Sequence, residues 1–322
     1  MARRIPREKP AITVRTMTEV DLPAAKRVFQ LAFGTFLGAP DPESFRQDQD
    51  LVATRWRRDP SAGFVAEING ALAGSCFACH WGGFGYFGPL TIHPDFWDQG
   101  VAQALLKPVL AALDTWGCRQ TGLFTFATSP KHLELYRKFG FWPQHLTAVL
   151  SKPVTPDASG EKPATFGTLP ASEKRDCLAD CRSITDSIYP GLDLSGEILA
   201  VDIQHLGDTV LVRDANGPAA FAVCHCGRGS EAGDGKCYVK FAAARNDDAA
   251  ERNFAKLLRA CTAYAAAEGM TRIEAGTNLA RRESYAMLID HGFRTDIQGV
   301  AMQRSTDPGF NRAGVFVVDD WR

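Results

Sequence analysis

No run of this 322-residue sequence is apolar for long enough to span a bilayer, which excludes a helical integral membrane protein. Charge of one sign is lacking too. The 36 Lys and Arg stand against 37 Asp and Glu, with no basic stripe to hold nucleic acid or an anionic membrane. Nor is there a disulfide framework: the nine cysteines, an odd number scattered through apolar runs, fit reduced thiols and a cytoplasmic setting. The start, Met1 to Pro10, is basic but lacks the apolar core of an export signal and reads as a frayed tail. Metal-ligand spacing is equally weak. Cys76-x-x-Cys79-His80 and Cys224-His225-Cys226 lie in strand-like runs whose alternate side chains face opposite ways, so these cysteines, like Cys177 and Cys181, are expected in cores and no metal is expected. What remains is a globular chain, 45% hydrophobic and long enough for two cores, acting on a small or local partner.

The most informative stretch runs from Pro89 to Leu106. An apolar strand, Leu90-Thr91-Ile92, leads through a turn to Asp98-Gln99-Gly100-Val101-Ala102-Gln103 and then directly into a helix. Val101, Leu105, Val109 and Leu113 recur every four residues and give that helix one apolar face, with Pro108 expected to kink it. At its start the first N–H groups have no intrahelical partner, and Gly100 and Ala102 leave the backbone bare, which suits a pyrophosphate. An ordinary strand-to-helix turn has the same spacing, so the pattern alone leaves both readings open. Upstream, Gly88-Pro89 interrupts the strand; proline cannot donate to a ladder, so pairing should fail there and free backbone groups for a ligand.

The chain also repeats itself. Residues 86–150 overlie 238–302 at a constant offset of 152, with Leu105-Leu106 on Leu257-Leu258, Gly117 on Gly269 and Gly140-Phe141 on Gly292-Phe293. Asn69-Gly70 and Asn216-Gly217 mark a hairpin in each copy. Between the copies, Ser151 to Pro163 holds three prolines and no apolar periodicity. The expected organisation is therefore a first domain over 1–150, a linker over 151–163 and a second domain over 164–322. Each should begin with a short strand (Ile12 to Thr16; Thr165 to Thr168), and a helix is expected from Glu43 to Arg58.

The order strand, hairpin, interrupted strand, Gly-x-Ala loop, helix, strand and helix, closed by Tyr136-Arg137-Lys138-Phe139-Gly140-Phe141, resembles the GCN5-related N-acetyltransferase (GNAT) family, and the resemblance covers nearly the whole chain through the repeat. It implies an α+β fold, a mostly antiparallel central sheet flanked by helices, built as two tandem GNAT folds. It implies acetyl-CoA as co-substrate, with Asp98, Gln99, Gly100, Val101, Ala102 and Gln103 cradling the pyrophosphate and Leu90, Thr91 and Ile92 forming the strand that pairs with the pantetheine arm. Tyr136 matches the tyrosine that protonates the departing thiolate, and Ser129 falls where the family often carries a cofactor-contacting asparagine. Trp97 stands where the family has a basic or amide residue.

Acetyl transfer also needs a route for the amine's proton; His80, Asp48, Glu67, the carboxylate of Arg322 and a relayed water are open candidates. In the second copy Arg252 and Phe254 replace Gly100 and Ala102, and Leu288 replaces Tyr136, so only the first domain is expected to work. The final run, Gly314 to Arg322, is expected to be a strand. The expectation is a cytoplasmic N-acetyltransferase, monomer or homodimer, acting on a small-molecule amine without nucleic acid or membrane partners. A non-catalytic acyl-CoA sensor, or an aminoacyl transferase using tRNA, are the alternatives.

Overall fold

In the computed structural model the described residues are 11–157, 160 and 162–322. The basic start and residues 158, 159 and 161 of the expected linker lie outside them. Strand β1 (Ile12–Thr16) is followed by helices α1 (Leu22–Phe36) and α2 (Leu51–Arg58), then by strands β2 (Gly63–Ile68), β3 (Ala71–Trp81), β4 (Phe84–Phe87) and β5 (Thr91–Ile92). Helix α3 (Val101–Thr115), strand β6 (Gln120–Thr125), helix α4 (Pro130–Arg137) and strand β7 (Trp142–Pro153) complete the first copy. The second has helices α5 (Ala171–Ile188) and α6 (Ser195–Gln204), strands β8 (Gly207–Asp214), β9 (Gly217–Gly227) and β10 (Gly233–Ala244), helix α7 (Ala250–Ala267), strand β11 (Arg272–Asn278), helix α8 (Arg282–Asp290) and strand β12 (Arg294–Gln303). A two-residue strand, β13 (Val317–Val318), is the last element, so the strand expected over Gly314 to Arg322 shrinks to these two residues.

The local reasons are those of the sequence. Asn69 and Gly70 both take positive φ, 52° and 78°, as the tight turn between β2 and β3 requires. Helix α3 buries Val101, Leu105, Leu106, Val109 and Leu113 and runs through Pro108. Cys76 and Cys79 are buried on opposite faces of β3, in different cores. Three other expectations are corrected. The helix expected from Glu43 shrinks to α2, because Pro42 sits in a tight turn, Arg46 adopts φ 48° and Asp50 caps the helix by accepting the Ala53 N–H at 2.8 Å. Thr165 makes only an isolated bridge to Val210 instead of starting a strand. The expected boundary at residue 150 falls inside β7, whose pairing with β11 continues to Pro153.

That pairing sets the architecture. The sheet runs β1-β2-β3-β4-β6-β12-β7-β11-β10-β9-β8. All neighbours are antiparallel except β4 with β6 and β10 with β11. The two copies have exchanged their last long strands: β12 lies beside β6 of the first copy and β7 beside β11 of the second. Packing follows the exchange, since Val300 and Met302 enter the core under α3 while Ala148 and Leu150 enter the core under α7. Neither half can close its sheet without a strand of the other. Among the described residues no helix is long and apolar enough to cross a membrane.

The shared strands predict one cooperative denaturant transition with the same midpoint for amides in β2 and β9, followed by hydrogen exchange. A separate earlier transition for either half would contradict the exchange.

Candidate active site

The site begins where two strands part. β4 pairs in parallel with β6 from Phe84 to Tyr86, but after Gly88-Pro89 the chain turns to β3, where Thr91 pairs with Ser75 and Ile92 with Gly74. A wedge opens between β5 and β6. Leu90 and Ile92 line it, whereas Thr91 points to the other face and its hydroxyl meets Ser75 Oγ at 3.1 Å.

Trp97 follows as a strut: its indole N–H donates to the Ile92 carbonyl at 2.8 Å and ties the loop to β5. Asp98 and Gly100 take φ 62° and 90°, and Gly100 forms the N-cap of α3 without any side-chain cap. The first N–H groups of α3 therefore have no side-chain capping partner, and Asp98, Gly100, Val101, Ala102 and Gln103 line the cavity. Gln99 turns outward and donates to the Asp95 carbonyl at 2.9 Å. The cation missing at Trp97 comes from α4, which sequence reasoning missed: Lys131 Nζ lies 2.7 Å from Asp98 and 5.5 Å from the Trp97 ring centre. Its signal was a lysine in the first turn of the helix that also carries Tyr136.

Tyr136 is buried, with its ring 5.8 Å from Phe87, and it lines the same cavity. Burial, with Cys76 nearby, pushes its phenol above the ordinary value, so it stays protonated. Ser129, at the N-cap of α4, is buried without a capping bond, and Thr128 and Lys131 line the cavity in its place. The cavity measures about 740 Å³ and extends to an aromatic wall of Phe29, Phe33 and Phe36 from α1 with Phe126, and to Trp321 and Arg322. Of the candidate bases, Arg322 lines it. Glu67 is engaged by Arg15, His80 stacks on Trp116 at 4.9 Å, and Asp48 accepts the Asp234 N–H at 2.7 Å.

Beneath the wedge lies a buried charge network joining the halves. Arg55 of α2 donates 2.6 Å to the Gly88 carbonyl, forks onto Glu231 at 3.2 and 3.0 Å, and also donates to the Arg322 backbone oxygen. Lys240 bridges Glu231 at 2.8 Å and Glu197 at 3.1 Å; Glu197 also lies 3.1 Å from Arg58 and accepts the Trp81 N–H at 2.9 Å. Burial alone would raise the Glu197 carboxyl, but Arg58 and Lys240 hold it at about 2.

The second copy shows the same place closed. There β10 keeps pairing with β9 through Ala244, and β13 lies alongside it, Val318 beside Ala242 and Val317 beside Ala243. By the repeat offset Ala242 and Ala243 correspond to Leu90 and Thr91, so the chain's own strand fills the slot that stays open in the first copy. Phe254 packs on Phe316 at 5.5 Å in the core, Leu288 is buried, and Arg252 is exposed.

Comparison with known proteins agrees with this geometry. Residues 25–141 match the model of the Acetyltransferase (GNAT) family. An acetyltransferase of Pectobacterium atrosepticum is 29% identical, over 30% of this chain and 84% of its own. One of Yersinia enterocolitica is 29% identical, over 31% and 71%. Among solved structures, one from Pyrococcus horikoshii superposes with a TM-score of 0.64 at 14% identity, covering 94% of this chain and 92% of that one. A GCN5-related N-acetyltransferase from Sphaerobacter thermophilus gives 0.58 at 14%, covering 92% and 96%. The fold is thus that of the GNAT acetyltransferases.

The network gives a pH prediction. Glu197 titrates lower in the folded state than its ordinary 4.5, so its stabilisation is full above pH 4.5 and is lost as pH falls toward 2. Glu197→Gln should cost about 3 to 5 kcal/mol at pH 7 by leaving buried cations underpaired, and should flatten the acid limb of the stability curve. An unchanged acid limb in denaturant titrations would count against the network.

Proposed function

We propose that this GNAT-family chain is an acetyl-CoA-dependent N-acetyltransferase, built as tandem GNAT folds, with one active site in its first half and a small-molecule amine as acceptor. The observation that carries the reading is the single cavity shared by the uncapped start of α3, the parted strand at Leu90 and Ile92, and Tyr136. In this reading the N–H groups of loop 98–103 and Lys131 bind the pyrophosphate, and the Leu90 backbone with the Ile92 N–H, the Ile92 carbonyl being held by Trp97, pairs with the pantetheine arm. Those remote contacts carry the thioester to Tyr136.

The amine nitrogen, unprotonated, attacks the thioester carbonyl carbon; the C–S bond breaks, and the departing thiolate takes the Tyr136 proton to leave as the free thiol. The proton shed by the new amide nitrogen returns to solvent, and the phenolate is reprotonated. Burial keeps the Tyr136 phenol protonated, so its proton is in place when the thiolate leaves. The chain has little net charge to attract a large charged acceptor, since its basic and acidic residues nearly cancel.

Two measurements separate this reading from a fold that only binds. Ala102→Glu should weaken acetyl-CoA binding by about tenfold or more, while Arg252→Ala leaves it unchanged; equal losses in both halves refute the assignment. Tyr136→Phe should lower kcat by about 10²-fold or more with the KM for acetyl-CoA nearly unchanged. If the protein binds acetyl-CoA and releases no CoA with any of a broad amine panel, transfer is refuted.

A further inference from the structure

Among the side chains that line the cavity without a part in the transfer chemistry is Arg46. Arg46 lies between α1 and α2 and lines the cavity beside Phe45, its guanidinium 5.5 Å from that ring. Among the described residues it forms no ion pair. Its hydrogen bond goes to a neutral partner, Gln49 Oε1 at 3.2 Å, and Gln49 is itself fixed by donating to the Ala232 carbonyl at 3.0 Å. The carboxylates that face Arg46 are committed elsewhere. Glu274 takes Lys236 at 2.8 Å, Asp320 takes Arg322 at 2.9 Å and the Tyr238 hydroxyl at 2.8 Å, and Asp48 accepts the Asp234 N–H. Arg322, nearby, adds positive charge.

The backbone of Arg46 adds an independent observation. Its φ of 48° is left-handed, a conformation that costs a non-glycine residue and persists where the surroundings impose it. A guanidinium with free donors, held on a strained backbone at the rim of an aromatic wall, presents a planar fork suited to a carboxylate. The wall itself is continuous: Phe33 contacts Phe29 at 5.0 Å, Phe45 at 6.5 Å and Phe126 at 6.4 Å.

We propose that the acceptor is an amino acid with an apolar or aromatic side chain, its carboxylate read by Arg46 and its side chain by the phenylalanine wall, with the amine left to face the thioester. The inference rests on the acetyl-transfer reading for the identity of the reacting group, and its test uses binding so that the two can fail separately. Calorimetry on the full chain compares N-acetylphenylalanine with N-acetylphenethylamine, products that differ only in the carboxylate. The wild type should bind the acid about tenfold or more tightly than the amide lacking it, as one charge-assisted pair allows. Arg46→Gln should bring that ratio close to one without changing acetyl-CoA binding, and Arg46→Lys should restore part of it. Equal binding of the two products by the wild type, no binding of either, or a ratio unmoved in Arg46→Gln overturns the proposal. In parallel, CoA release is followed with phenylalanine and phenethylamine. Release with both at equal kcat/KM overturns the acceptor assignment while sparing transfer; a charge-selective binding ratio without release from any amine overturns transfer while sparing Arg46 as the carboxylate reader.

Discussion

A strand that leaves its neighbour exposes N–H and C=O groups that must find partners, and the two halves of this protein meet that demand in different ways. In the second half β13 settles beside β10, and Val317 and Val318 satisfy the backbone at Ala242 and Ala243. In the first half the corresponding backbone at Leu90 and Ile92 faces an open cavity. The rest of the proposed chemistry hangs on that difference. A slot closed by the chain's own strand has no room for a pantetheine arm, whereas an open one beside an uncapped helix start and a buried phenol has a use for it.

The exchange of β7 and β12 explains why a half without an open slot is retained in the architecture. The first half needs β12 to cover β6, and the ion pairs of Arg55 and Arg58 reach Glu231 and Glu197 on the second. Arg55 matters most, because the same guanidinium that pairs with Glu231 holds the Gly88 carbonyl at the point where the strands part. Buried ion pairs add little net stability compared with apolar packing, but leaving one member unpaired is costly. The network therefore ties the geometry of the wedge to the docking of the second half.

Much of this was legible in the sequence, and the limits have physical causes. The hairpins, α3 and the order of strands follow from local signals: an Asn-Gly turn, a four-residue apolar repeat, a glycine at a helix start. The exchange was not legible, because β7 and β12 carry the same alternation whichever copy they complete. Thr91, Gln99 and Ser129 sit in the expected stretches but turn away from the cavity, a matter of side-chain facing that motif spacing does not encode. Lys131, Arg46, Glu231 and Trp321 reach the site or its support from distant parts of the chain. Trp97, an oddity as a motif residue, makes sense as the strut that bonds Ile92.

Of the two slots related by the sequence repeat, one is open and the other is filled by β13. Isothermal titration of the full chain with acetyl-CoA tests this most directly, because stoichiometry is independent of the acceptor. One site per chain, with a single heat curve, is the expected result. Two sites per chain, or none, would contradict it.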